Sequence, residues 1–160
     1  MALEIERRIL LKNIPLPIFE FDEHQVIRQF YAPTGRLREV SIIKGKKCLT
    51  KYIRTNKTAI SEGVNDEKEE EISKKQFYKE IKRSTRALTK IRYIKKVGKY
   101  KWEVDVFDFK LVIAEIEVKT KKELKTVKIP GFIKKVMIKD ITGEKPFSNF
   151  NLADKWKKKN

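Results

Sequence analysis

The amino-acid sequence predicts an α+β chain built mainly from antiparallel strands, each with one charged face and one aliphatic face. The first observation is alternation with a period of two, because successive strand residues point to opposite faces. It is plainest in residues 3–10, where Glu4, Glu6 and Arg8 share one side and Ile5 and Ile9 the other. The second is punctuation. Ala32-Pro33-Thr34-Gly35, Gly45 and Gly98 give room for tight turns between consecutive segments but not for crossover helices. The third is that a helical period is confined to short stretches, chiefly the one after Ser73.

Taken in order, residues 3–10 form the opening strand. Lys12 to Asp22 contains Pro15 and Pro17, whose fixed φ and missing N–H make it an irregular connection. Residues 26–31 (VIRQFY) and 36–43 (RLREVSII) flank the Pro-Thr-Gly turn and pair as a hairpin, with Arg36 and Arg38 on one face and Leu37 opposite. Beyond Gly45, residues 48–57 (CLTKYIRTNK) extend as a long strand in which Ile53, Thr55 and Lys57 share a face, with Cys48 expected at a packed position. Glu67, Glu69 and Glu71 recur with period two before Ile72, either as a solvated acidic stretch or as a functional face.

The period then changes. Ser73 with Gln76 is a capping-box pattern, the hydroxyl accepting from a first-turn amide while the glutamine reaches back. It opens a basic amphipathic helix over residues 74–87, with Phe77, Ile81 and Leu88 on one side. Strands return at residues 90–96, 101–107 (KWEVDVF) and 111–119 (LVIAEIEVK). Lys90 and Arg92 oppose Ile91 and Tyr93, Glu103 and Asp105 oppose Trp102 and Val104, and Glu115 and Glu117 oppose Ala114 and Ile116. After Pro130-Gly131 and the Ile141-Thr142-Gly143-Glu144 stretch, a short helix is expected over residues 149–156. Nothing resembles an internal repeat or a linker, so residues 1–160 read as one domain with a basic tail from about residue 155.

Composition narrows the function classes. Lys and Arg number 39 against 22 Asp and Glu, a formal charge of +17 that attracts polyanions: nucleotides, polyphosphate, nucleic acid or an anionic surface. The single cysteine excludes an internal disulfide and a cysteine-rich zinc site. The single histidine, His24, excludes histidine-cluster metal sites and a histidine relay. No apolar run is long enough to span a bilayer and no signal-peptide pattern is present, so a reducing cytoplasmic setting without a membrane partner is expected.

The charged faces admit two architectures. An open antiparallel sheet with one solvated face would account for them. So would a sheet closed into a tunnel, with charges inside and aliphatic residues outside under covering helices. The least comfortable solvent face is LVIAEIEVK, where Glu115 and Glu117 interrupt an otherwise buried-looking run.

The motifs, in order, resemble the CYTH or triphosphate tunnel metalloenzyme superfamily across essentially the whole chain, and within it the tripolyphosphatase-like branch. They are Glu4-Ile5-Glu6-Arg7-Arg8, Arg36-Leu37-Arg38, Thr55-Asn56-Lys57, Lys90-Ile91-Arg92-Tyr93, residues 102–107, residues 111–118, and Asp140-Ile141-Thr142-Gly143 followed by Asn149 to Ala153. Two positions depart from the family pattern: Arg8 stands where the opening motif has lysine, and Asp140 stands for the glutamate of a Glu-Val-Thr motif. Arg8 keeps the charge and offers a planar fork, whereas Asp140 reaches one methylene less far.

The resemblance implies a closed antiparallel β-tunnel of eight strands with flanking helices. It implies Mg2+ or Mn2+ held by Glu4, Glu6, Glu115, Glu117 and Asp140, and phosphate held by Arg8, Arg36, Arg38, Lys57, Lys90 and Arg92. Glu4, Glu6, Arg8, Glu115 and Glu117 are then the catalytic set, with Glu67, Glu69, Glu103 and Asp105 balancing the charge of the basic residues. Hard cations favour carboxylate oxygen, and phosphoryl transfer asks of a protein mainly alignment and charge neutralisation. The implied activity is a metal-dependent triphosphatase acting on tripolyphosphate, a nucleoside triphosphate or an RNA 5′-triphosphate. An adenylate cyclase of the same fold, and a non-catalytic polyphosphate or nucleic-acid binder, are the alternatives. RNA is a further candidate partner, and the oligomeric state, a homodimer included, is left open.

Overall fold

Strands β1 (Ala2–Leu11), β2 (Glu23–Ala32), β3 (Gly35–Lys44), β4 (Lys47–Ser61), β5 (Val64–Ile72), β6 (Arg86–Val97), β7 (Tyr100–Phe107) and β8 (Val112–Val118) close into an antiparallel barrel in the computed structural model, which describes residues 2–155. Around the barrel the order is β6-β2-β3-β4-β5-β1-β8-β7, and β7 pairs back onto β6 from Val97↔Tyr100 to Lys90↔Phe107. That last ladder decides between the two architectures. The sheet has no open edge between β6 and β7, so its charged face becomes an interior.

Two short strands lie off the ring. β5 pairs with β1 over Ala2 to Ile5 and then departs. β9 (Met137–Asp140) takes its place along Ile9 to Leu11. β10 (Asp154–Lys155) pairs with the start of β6 at Ala87 and Arg86.

The hydrophobic core lies largely outside the barrel. Ile5, Ile9, Trp102, Val104, Ala114 and Ile116 point outward and pack with Val127 and Ile133 from the segment after β8. That segment carries α2 (Lys121–Thr126), capped by Thr120 on the Glu123 amide, and α3 (Gly131–Lys134). β8 is therefore covered on both faces: Val112 through Ile116 are all buried, which explains why its sequence is nearly continuous in apolar residues. On the opposite wall α1 (Lys74–Glu80) lays Phe77 against Phe30, Leu37 and Tyr52. A third cluster occupies the inside. Leu88, Phe107, Ile113 and Leu10 share the inward face with the charged residues and meet Ile141, Leu152 and Ala153 of the C-terminal segment, so the interior is apolar beyond the charged band.

Several expectations need correction. The helix over residues 74–87 stops early: α1 ends at Glu80, a single 3-10 turn covers Ile81–Arg83, and β6 begins at Arg86. Ser84 and Thr85 are weak helix formers, and residues 86–94 are claimed by nine rungs of pairing with β2. Leu88 accordingly packs inside the barrel and not beside Phe77. The terminal helix, α4, is Asn149–Leu152 only; Trp156 and the lysines after it lie outside the described residues. Cys48 is exposed near the start of β4 and is not a packed residue. The acidic run at Glu67, Glu69 and Glu71 belongs to a strand, β5, paired along β4.

Candidate functional site

The barrel encloses a cavity of about 1730 Å3 whose charged lining comes from most of the ring of strands. β1 contributes Glu4, Glu6 and Arg8, and β8 contributes Glu115 and Glu117. The register sets Glu6 opposite Glu117 and Arg8 opposite Glu115, side by side on the inner face. β3 contributes Arg36 and Arg38, β4 contributes Thr55 and Lys57, and β6 contributes Arg92. One turn holds this wall closely. The Glu6 amide donates to the Gly63 carbonyl at 2.9 Å, and Gly63 adopts φ +72° where a Cβ would stand 2.9 Å from the Glu6 carbonyl oxygen. Only glycine suits that position.

The basic residues fall into two groups. Arg8 and Arg92 are gripped by protein. Arg8 Nε donates to Glu115 Oε1 at 3.0 Å and Nη1 to the Phe147 carbonyl at 2.7 Å, tying β1 to the C-terminal segment. Arg92 binds both oxygens of Asp105, at 2.8 and 3.0 Å, and pairs with Glu103 at 3.0 Å. Arg36 and Arg38 are much freer. Among the described residues no carboxylate pairs with Arg36, and Arg38 has only Glu69, at 3.7 Å. Arg36 Nε, Arg38 Nε and Arg8 Nη2 are buried without a hydrogen-bond partner. Burial, with the Arg36 and Arg92 charges added, pushes Arg38 down to about 10. Buried guanidinium donors left unmatched are costly, and an anion in the cavity would satisfy them.

The acidic residues show the opposite imbalance. Burial first, then the Glu115 charge, push Glu6 up to about 7. Glu67 rises to about 8 through burial and its hydrogen bond with Glu4. Glu117, the most open of the set, is also raised, by burial and then the Glu4 and Glu103 charges. Burial works to raise Glu4 as well, but the hydrogen bond from Glu67 and the Lys57 ammonium outweigh it and hold that carboxyl below the usual range. Lys57 Nζ lies 2.5 Å from Glu4 and 3.5 Å from Glu6, so it stands between the acidic and basic sides.

Carboxylate oxygens are the donors Mg2+ and Mn2+ prefer, and Glu4, Glu6, Glu115 and Glu117 face one cavity. Among the described residues no three such side chains are gathered tightly enough to grip an ion as they are placed. The reason is visible in the ion pairs: Lys57 occupies Glu4, and Arg8 occupies Glu115. The donor chemistry fits a divalent cation, with Lys57 released from Glu4 as the rearrangement it requires. The negative charge crowded around Glu6 is the feature such an ion would relieve.

Two residues expected in the site lie elsewhere. Asp140 is opposite Ile9, an outward-facing residue, and pairs with Arg7 at 2.8 Å on the outside of the barrel. Its other oxygen accepts from the Thr142 amide at 2.9 Å. Asp140 therefore organises the turn that brings Thr142 to the cavity, and is not among the lining carboxylates. Lys90 is 1% exposed and donates to Asp105 at 2.7 Å, behind Arg92 and away from the cavity surface. Conversely, Tyr31, Asn149 and Phe150 line the cavity without having been singled out. Asn149 lay inside a quoted motif, but nothing in the strand pattern marks an aromatic residue of a terminal turn.

The chain is similar to several solved structures. A hypothetical protein, NE1496, aligns with 23% identity over 94% of this chain and 97% of its own, with a TM-score of 0.56. The PH1819 protein from Pyrococcus horikoshii OT3 aligns with 18% identity over 77% and 82%, with a TM-score of 0.55. A protein from Hippeastrum, described as a candidate adenylyl cyclase that reveals a dominant triphosphatase activity, aligns with 18% identity over 84% and 87%. Its TM-score of 0.47 is too loose to bear an argument. No family model and no curated protein matches the chain. At these identities the likeness is one of fold, and the closed eight-stranded barrel with its inward charges fits a CYTH tunnel.

Proposed function

We propose that the protein is a divalent-metal-dependent triphosphate hydrolase, acting on tripolyphosphate, a nucleoside triphosphate or an RNA 5′-triphosphate. The observation that supports this is the imbalance inside one enclosed cavity: guanidinium donors of Arg36, Arg38 and Arg8 without partners, facing carboxylates crowded around Glu6. A linear chain of phosphates and a cation complement both halves at once.

In this reading Arg36 and Arg38 bind phosphate oxygens directly, Arg8 presents Nη2 while its other nitrogens are anchored, and Arg92 is oriented by Asp105. Glu4, Glu6, Glu115 and Glu117 hold the ion, which supplies charge neutralisation and lowers the pKa of water. Lys57 couples the two halves: moving from Glu4 to a phosphate, it frees a metal ligand and adds a substrate contact. The attacking water bonds to the terminal phosphorus, the phosphoanhydride bond breaks, and orthophosphate departs. Lys90 supports Arg92 through Asp105 and makes no phosphate contact of its own.

Pure protein incubated with Mg2+ or Mn2+ and, separately, tripolyphosphate, ATP and 5′-triphosphorylated RNA tests the proposal. Orthophosphate release that disappears in EDTA and in Glu6→Gln or Glu115→Gln is the expected result. Cyclic AMP in place of orthophosphate would assign a cyclase. Binding without turnover, or full activity in EDTA, would overturn the hydrolase reading.

A further inference from the structure

The charged cavity runs out, on one side, to an aromatic platform that phosphate binding does not use. Phe150 lines the cavity with nearly half its surface, 47%, exposed. Tyr31 meets its ring edge-on, with centroids 5.2 Å apart and planes at 88°. The Arg86 guanidinium carbon lies 4.6 Å from the Phe150 centroid, and its Nη1 donates to the carbonyls of Phe150 and Ala153 at 3.2 and 3.3 Å. The ring is thus fixed in place, with a cation against it and a tyrosine beside it, yet it still presents apolar surface.

Its position relative to the phosphate-binding residues gives that surface a purpose. Tyr31 is the cross-strand partner of Arg36 on the inner face of β2 and β3. The platform therefore adjoins the guanidinium groups that lack partners. Asn149, next to Phe150, lines the same mouth, and its Oδ1 has no hydrogen-bond partner. An inorganic phosphate chain offers nothing to a phenyl ring or to an unmatched acceptor. A nucleoside offers a π face for the ring and amino hydrogens for the acceptor, at the end of the same chain of phosphates.

We propose that Phe150, Tyr31 and Asn149 form a nucleoside site continuous with the triphosphate clamp. The substrate is then a nucleoside 5′-triphosphate, free or at the 5′ end of an RNA. This rests on the triphosphate reading above and deepens it by naming what is attached to the phosphates. Stacking on an exposed ring is tolerant of base identity, so the site selects for the presence of a base and only weakly among bases.

Calorimetric titration of the protein with Mg2+ and non-hydrolysable imido analogues of ATP and of tripolyphosphate tests it. The readout is the ratio of the two affinities. Phe150→Ala is expected to lower the preference for the ATP analogue roughly tenfold, the effect of losing one base–aromatic stack, and Phe150→Tyr to retain it. A 5′-triphosphorylated oligoribonucleotide forms a further arm. A loss of preference with the ATP analogue, with the oligonucleotide, or with both supports the site and identifies the source of the nucleoside. An unchanged ratio for both overturns it while leaving triphosphate binding intact. Failure of the unmodified protein to bind either analogue overturns the triphosphate reading, and the nucleoside site with it.

Discussion

Lys90 Nζ lies 2.7 Å from Asp105 Oδ2 where neither side chain reaches solvent, their exposures being 1% and 0%. Arg92 grips the same carboxylate, so Asp105 anchors two cations at once. Burial alone would raise its pKa, but Arg92 and Lys90 outweigh it and hold the carboxyl far below the usual range. Removing one partner from such a group leaves buried charge unpaired, which typically costs about 3–5 kcal/mol. Asp105→Asn is expected to destabilise by that order in urea unfolding. Lys90→Met combined with Asp105→Asn should lose less, because the orphaned ammonium goes with it. A loss in the single variant no larger than that of an ordinary surface change, about 0.5 kcal/mol, would contradict the assignment.

Arg38 should separate binding from stability. Its guanidinium is buried beside Arg36 and Arg92 with one distant carboxylate, so it strains the empty fold. Arg38→Ala is expected to weaken triphosphate binding by about 1.5–3 kcal/mol, the range for a hydrogen bond to a charged group. The melting temperature should hold steady or rise. Pyrophosphate should bind more weakly than tripolyphosphate to the unmodified protein, because a shorter chain leaves cations facing their own sign. Equal affinities would rule out the end-to-end grip.

The raised carboxylates predict a stability that falls with rising pH. Glu6 titrates at about 7 in the folded chain against 4.5 for the free group, and Glu67 at about 8. Between the unfolded and folded values the native state holds more protons, so their contribution is complete below about pH 4.5 and is lost as pH climbs through 7 and 8. Glu6→Gln should flatten this decline, by no more than about 3 kcal/mol at pH 8. Mg2+ should reverse part of it in the unmodified protein and less in the variant. Melting curves from pH 5 to 8 read both effects, and identical slopes in the two proteins would refute the crowding around Glu6.

Asp140→Ala should retain metal-dependent activity. Its carboxylate pairs with Arg7 outside the barrel and is over a third exposed, at 37%, so the pair contributes at most about 1 kcal/mol. The retained activity should carry a modest fall in stability from the lost contact to the Thr142 amide. Abolished metal dependence in this variant would return Asp140 to the ligand set.

The site was legible wherever strand periodicity alone governs a side chain. Glu4, Glu6 and Arg8 share a face because they are two residues apart, and the same holds for Arg36 with Arg38 and Glu115 with Glu117. Lys90 obeys that rule and points inward, yet sequence could not reveal that Asp105 would take its ammonium across the β6–β7 ladder. Asp140 was misread because one residue of register on a four-residue strand sends a side chain to the other face.

By itself the sequence determined the strands, most of their turns and the pairing of charges on one face and aliphatics on the other, because these follow from local geometry with a period of two. Which face would be the interior was decided only by closure, when Lys90 to Val97 found Tyr100 to Phe107 and the sheet lost its last edge. The placement of Phe150 beside Tyr31 belongs to the same class. Those residues are far apart along the chain, and they meet because β10 lies on β6 and β6 lies on β2. Periodicity orients a residue relative to its own strand. Only long-range pairing orients strands relative to one another, and the candidate site is made of that second relation.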